Sequence, residues 1–180
     1  MEKPDPKQDG VTHINCWSKG KTELGQMLSN FAQSPFKHHE FGYFASVEGF
    51  WYWLSTGRQH ENLRRLYGAS AKSVGMQFEM IPMNDEEFQD RIREAIRCKI
   101  EQNKGLLKVF VASKLPFYHY YVYGKGADVV VEKPQHRWQM EYLESLRIEL
   151  RDVQEVGNMA SFENNVTAER EEIVRQMSYM

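Results

Sequence analysis

Between Asp85 and Glu101 the residues Phe88, Ile92, Ala95, Ile96 and Ile100 recur at i, i+4 and i+7. That spacing puts one apolar stripe along an α-helix, and such a stripe has to be covered by other elements. Asn84 or Asp85 can cap the helix, and Glu86 and Glu87 suit the dipole of its first turn. Lys99 lies on the same apolar face, so its stem is expected to point inward. A second amphipathic helix is expected over Trp138 to Val153 through Met140, Leu143, Leu146 and Leu150, and a final one over Thr167 to Met177. A helix from Asn62 to Val74, closed by Gly75, and a short one from Leu106 to Ser113 complete the helical set.

The strand signals are few and short. Val11 to Trp17 alternates and suits an edge strand, Phe41 to Ser46 is aromatic, and Tyr118 to Tyr123 and Asp128 to Glu132 have β-propensity. The expected fold is therefore α+β: a single compact, mainly helical domain with a few short strands. With 180 residues the chain can bury a core without staples. Residues 1–10, polar with two prolines, are expected to be a disordered lead-in, 11–153 the main domain, and 154–180 a polar helical extension.

A formal net charge of -2 argues against tight, sequence-independent gripping of duplex phosphates. The two cysteines, Cys16 and Cys98, are far apart, and the six histidines form neither HxH nor HExxH spacing, so no metal site is expected. The adjacent His38 and His39 are expected to be a solvated surface pair. Reduced thiols, no signal-peptide pattern and no long apolar run fit a cytoplasmic protein that avoids membranes. Ser18 to Thr22 ends like a phosphate-binding P-loop, but Asn15 stands where its upstream glycine is required.

Glu48 is the most suggestive residue. Ser46 can cap a helix over Val47 to Leu54, ended by Gly57, and Glu48 sits in its first turn, followed by Phe50, Trp51, Tyr52 and Trp53. A carboxylate against aromatic walls is desolvated, which raises its pKa and suits acid–base work. The alternative is a Glu that merely complements the helix N-terminus. Lys72 and Lys99 are the candidate cations, with snorkelling of a buried stem as the alternative for both. Tyr123, Gly124, Lys125 and Gly126 follow a strand and form either an anion-binding loop or an ordinary turn.

Taken in order, Leu28-Ser29-Asn30-Phe31, Phe36, Ser46-Val47-Glu48 before an aromatic helix, Ala71-Lys72 with Gly75, Lys99 with Gln102-Asn103, Tyr123-Gly124-Lys125-Gly126 and Leu146-Arg147 resemble the NADAR (YbiA-like) family. The resemblance spans residues 13–150. It implies N-glycosidase chemistry on an ADP-ribose-type or ribosylamine substrate, including removal of ADP-ribose from guanine bases and so contact with ADP-ribosylated nucleic acid, with no cofactor. It further implies Glu48 and Lys99 as catalytic residues, and Ser29, Asn30, Phe31, Trp51, Lys72, Asn103, Tyr123, Gly124, Gly126 and Arg147 as substrate-binding residues. The chain departs from the family pattern at Gly49 (often His), Tyr52 (often Gln), Ile100 (Phe) and Tyr123 (Trp), and it lacks an N-G-L-G-like turn before the last helix. Those departures keep two other functions open: a non-catalytic nucleotide-binding module, and an interaction protein of phage or host defence.

Overall fold

The structure is a computed structural model that describes residues 4–81, 85–124 and 129–177, with side chains described as far as residue 157. The helices are α1 (Glu23–Leu28), α2 (Val47–Ser55), α3 (Gly68–Gly75), α4 (Glu86–Gln102), α5 (Lys104–Ala112) and α6 (Arg137–Met177). The strands are β1 (Ile14–Asn15), β2 (Phe36–His38), β3 (Gly42–Phe44), β4 (Phe117–Tyr118), β5 (Tyr120–Tyr123) and β6 (Val129–Glu132). They pair two by two: β1 with β4 in parallel, β2 with β3 and β5 with β6 antiparallel. This is the helix-rich α+β arrangement expected from the periodicity.

The chain divides into two compact units, Met1–Glu144 and Ser145–Met180. The expected border at residue 153 falls within α6, which runs through it without a break, and the two units part inside that helix. In the second unit Leu146, Arg147 and Leu150 are buried. The first unit holds most of the core. The apolar face of α4 (Phe88, Ile92, Ala95, Ile96, Ile100) is buried throughout, as the spacing demands, and Lys99 is buried with it. Asp85 caps the helix by accepting the Phe88 N–H at 2.9 Å.

Three expectations need correction. Residues 4–10 form an ordered turn: Asp9 is buried and accepts the Asn15 N–H at 2.9 Å and the Lys21 N–H at 2.7 Å. The segment 62–74 is not one helix. A 3-10 turn over Glu61–Arg65 ends at Leu66, whose carbonyl accepts the Ser46 hydroxyl, and α3 starts afresh at Gly68 with φ +55. The strand expected over Val11 to Trp17 shrinks to Ile14–Asn15, since Gly10 and Thr12 are tied into the preceding turn through His13 and Gln8.

Candidate functional site

The sequence folds a short, polar-capped aromatic helix beside a loop. Ser46 is extended, and its Oγ accepts the Gly49 N–H at 2.9 Å while donating to the Leu66 carbonyl at 2.9 Å. Val47, Phe50, Trp53 and Leu54 of α2 are buried in the core. Glu48, Trp51 and Tyr52 face the other way, into a cleft of about 690 Å³.

The loop Ser29-Asn30-Phe31 forms the adjoining wall. It is fastened from two sides. The Glu48 N–H donates to the Asn30 carbonyl at 2.9 Å, and the Lys99 ammonium donates to the Ser29 carbonyl at 2.8 Å. The Asn30 side-chain amide in turn donates to Gln139 Oε1 at 3.0 Å. The third wall comes from β5 and the residue before it: His119, Tyr121 and Tyr123, alternate residues of the chain.

Burial pushes the Glu48 carboxyl up to about 7, and the Lys72 ammonium opposes that rise. The Tyr52 hydroxyl is pushed up to about 12, by burial first and then by Glu48 and Tyr121. The cleft therefore presents a poorly solvated carboxyl, two exposed cations, Lys19 and Lys72, and several aromatic faces. Trp51 stacks with Trp138, centroids 6.4 Å apart, and meets His136 edge-on at 5.7 Å. Such a site suits a planar base against aromatic rings and a developing positive charge against a carboxylate.

Of the sequence-derived site residues, Glu48, Trp51, Lys72, Ser29, Asn30, Phe31 and Tyr123 all line this cleft. Lys99 does not. It is 1 % exposed, and burial pushes its ammonium down to about 7. Its chain ends at the Ser29 carbonyl, behind the cleft wall. Asn103 does not either; its side chain caps α5 by accepting the Leu106 N–H at 3.0 Å. Gly124 leaves β5 with φ +109 and is not part of the lining. Gly126 lies outside the described residues, and Arg147 belongs to the second unit, whereas the cleft is built from first-unit residues.

His119 and His136 both line the cleft and were not singled out by sequence. His119 Nδ1 donates to the Cys16 carbonyl at 2.8 Å, which leaves Nε2 as its acceptor. His136 Nδ1 is buried without a hydrogen-bond partner. Burial lowers the pKa of both rings. The period-two run His119, Tyr121, Tyr123 was the available signal for His119; nothing comparable marks His136.

The departure from the NADAR pattern at Gly49 has a packing reason. A Cβ at Gly49 would meet the Leu63 carbonyl oxygen at 2.5 Å and that of Leu66 at 2.8 Å, so the histidine found elsewhere has no room. The Tyr52 ring packs directly on Gly75, where a Cβ would overlap it.

Comparison with protein-family models and with curated proteins finds no match. Among solved structures the chain is similar to the NMR structure of the E. coli protein YbiA, with a TM-score of 0.55 and 18% identity over 87% of this chain and 96% of that one. At that identity the likeness speaks for architecture: the chain has the YbiA-like fold.

Proposed function

We propose that the chain is an N-glycosidase, with an ADP-ribose-type or ribosylamine compound as substrate and ADP-ribose on a guanine base as its leading form. The observation that carries this reading is the Glu48 carboxyl, pushed up to about 7 in a cleft walled by Trp51, Tyr52 and Tyr121. The NADAR-like motif order and the YbiA-like fold support it.

The chemistry follows from the groups present. As the C1′–N bond breaks, its electron pair leaves with the base, which takes up a proton, and the sugar becomes cationic. The Glu48 carboxylate stabilises that cation, accepts a proton from the water that attacks C1′, and passes it to the nitrogen of the departing base. The products are the free base and a hydroxyl on C1′. Trp51 stacks the base and Lys72 pairs with a phosphate of the substrate. Lys99, held away from the cleft, is a positioning residue that fixes the Ser29-Asn30 loop.

The test is incubation with guanine-ADP-ribosylated DNA and, in parallel, with the ribosylamine intermediate of riboflavin synthesis, read by mass spectrometry. Release of ADP-ribose or of the free base is expected, and Glu48→Gln should slow it by at least ~10²-fold. Saturable binding without turnover of either compound would replace the enzyme by a binding module.

A further inference from the structure

On the face of α4 opposite the cleft-lining Ile96, the fold gathers a set of metal-binding side chains that the sequence keeps apart. Glu94 and Cys98 sit one turn apart on α4, so both project from the same helical face. Ile96, midway between them, points the other way and lines the cleft. Facing Glu94 and Cys98 is the turn that leaves β2. His39 Nδ1 lies 2.7 Å from Glu94 Oε1 and 3.9 Å from Cys98 Sγ. One nitrogen, one oxygen and one sulfur thus fall within 4.8 Å of one another.

A second observation points to the same spot. His38 is 0% exposed, and its Nδ1 accepts the Glu40 N–H at 3.2 Å and the Phe41 N–H at 3.4 Å. The ring proton therefore sits on Nε2. That nitrogen lies 3.2 Å from Glu94 Oε2, an ion-pair contact too poorly aligned for a hydrogen bond. A buried imidazole beside the far oxygen of a carboxylate is the kind of neighbour that orients a metal-binding carboxylate. The backbone on either side is also fastened. Gln102, one turn beyond Cys98, accepts the Lys37 N–H at 2.8 Å and donates to the Lys37 carbonyl at 2.9 Å.

We propose that His39, Glu94 and Cys98 form a zinc-class divalent metal site that clamps the β2–β3 turn to α4. Thiolate, imidazole and carboxylate together favour zinc over magnesium or calcium, which take oxygen donors. Three protein ligands leave one tetrahedral position for water. On binding, the Cys98 thiol gives its proton to solvent. His39 gives up the Nδ1 proton that it donates to Glu94 in the free protein, coordinates through Nδ1, and carries its remaining proton on Nε2, which its exposure leaves facing solvent. Glu94 exchanges its contact with His39 for one with the ion. The site needs nothing from the glycosidase reading and stands or falls apart from it.

The test uses the full chain, freed of metal with a chelator and titrated with Zn²⁺ against a chromophoric competitor, and with Co²⁺ for its spectrum. One equivalent should bind, with a thiolate-to-cobalt charge-transfer band, and saturating Zn²⁺ should raise the melting temperature. His39→Ala changes an exposed side chain and will fold; it should weaken binding at least ~10-fold, the scale seen even for groups one step removed from a metal. Cys98→Ser should remove the charge-transfer band. Zinc affinity unchanged in both variants, or a cobalt spectrum without a thiolate band, would mean that the ion sits elsewhere and would overturn the proposal.

Discussion

Glu48 stands between two opposing influences: burial, which favours its neutral form, and the Lys72 ammonium, which favours the carboxylate. In the proposed glycosidase the ionised form takes the water proton, so kcat/KM should rise with pH through about 7. Lys72→Met removes the ion that favours ionisation. The inflection should then move to higher pH, while stability changes by less than ~0.5 kcal/mol, as for other exposed positions. A pH–rate profile of both proteins checks this, and an inflection that stays put would remove Lys72 from the site. Glu48 was legible in the sequence because a carboxylate beside Trp51 and Tyr52 is a local pattern. The partner of that carboxylate was not equally legible. Lys72 and Lys99 were both candidate cations, and the apolar spacing of α4 favoured Lys99. Helical periodicity tells which face turns inward, but not what the end of a long side chain reaches, and Lys99 reaches a carbonyl instead of the cleft.

At the scale of elements, α2 is held by contacts too close for side chains. Gly49 lies inside the helix, where alanine would ordinarily stabilise by about 1 kcal/mol. Here the Leu63 and Leu66 carbonyls occupy the space a Cβ needs. Gly49→Ala should therefore destabilise, by about 3 kcal/mol. A denaturant or thermal melt decides the sign, and a gain in stability would show that the 3-10 turn yields to the helix. Sequence reading saw a departure at Gly49 and no cause, because the cause is the backbone of a segment that read as continuous helix. Lys99 acts on a second element, the Ser29-Asn30 loop. Lys99→Met keeps the stem and removes the donor to the Ser29 carbonyl, so the loop should loosen. The Glu48 amide, which donates to the Asn30 carbonyl, should then exchange its hydrogen faster, and KM should rise. Unchanged exchange at that amide would reduce Lys99 to a buried residue with no hold on the site.

For the whole molecule, the fold class followed from hydrophobic spacing, while the cleft did not. Its walls come from Ser29, Glu48, His119 and His136, which share no local pattern and meet only through the packing of α2, the α1–β2 loop and the strand beyond α5. That assembly has a thermodynamic signature. An ordinary glutamate titrates at 4.5, and Glu48 in the folded protein at about 7. The folded state thus holds this proton more tightly than the unfolded chain does. The stability it contributes is full below pH 4.5 and is lost as pH rises through 7, a change on the order of 3 kcal/mol. Lys99, pushed down from 10.5 to about 7, has the opposite sign in a different window: the folded protein gains stability from it as pH rises from 7 toward 10.5. Comparing wild type with Glu48→Gln cancels the Lys99 contribution, since both proteins carry it. Glutamine never ionises, so the variant should match the wild type near pH 4.5 and melt about 5–10 °C higher at pH 8. Melting curves at half-unit steps of pH would trace the difference. If the two proteins stay parallel across that range, the Glu48 carboxyl is as well solvated as any surface glutamate, and the proposed glycosidase reading loses the observation that carries it.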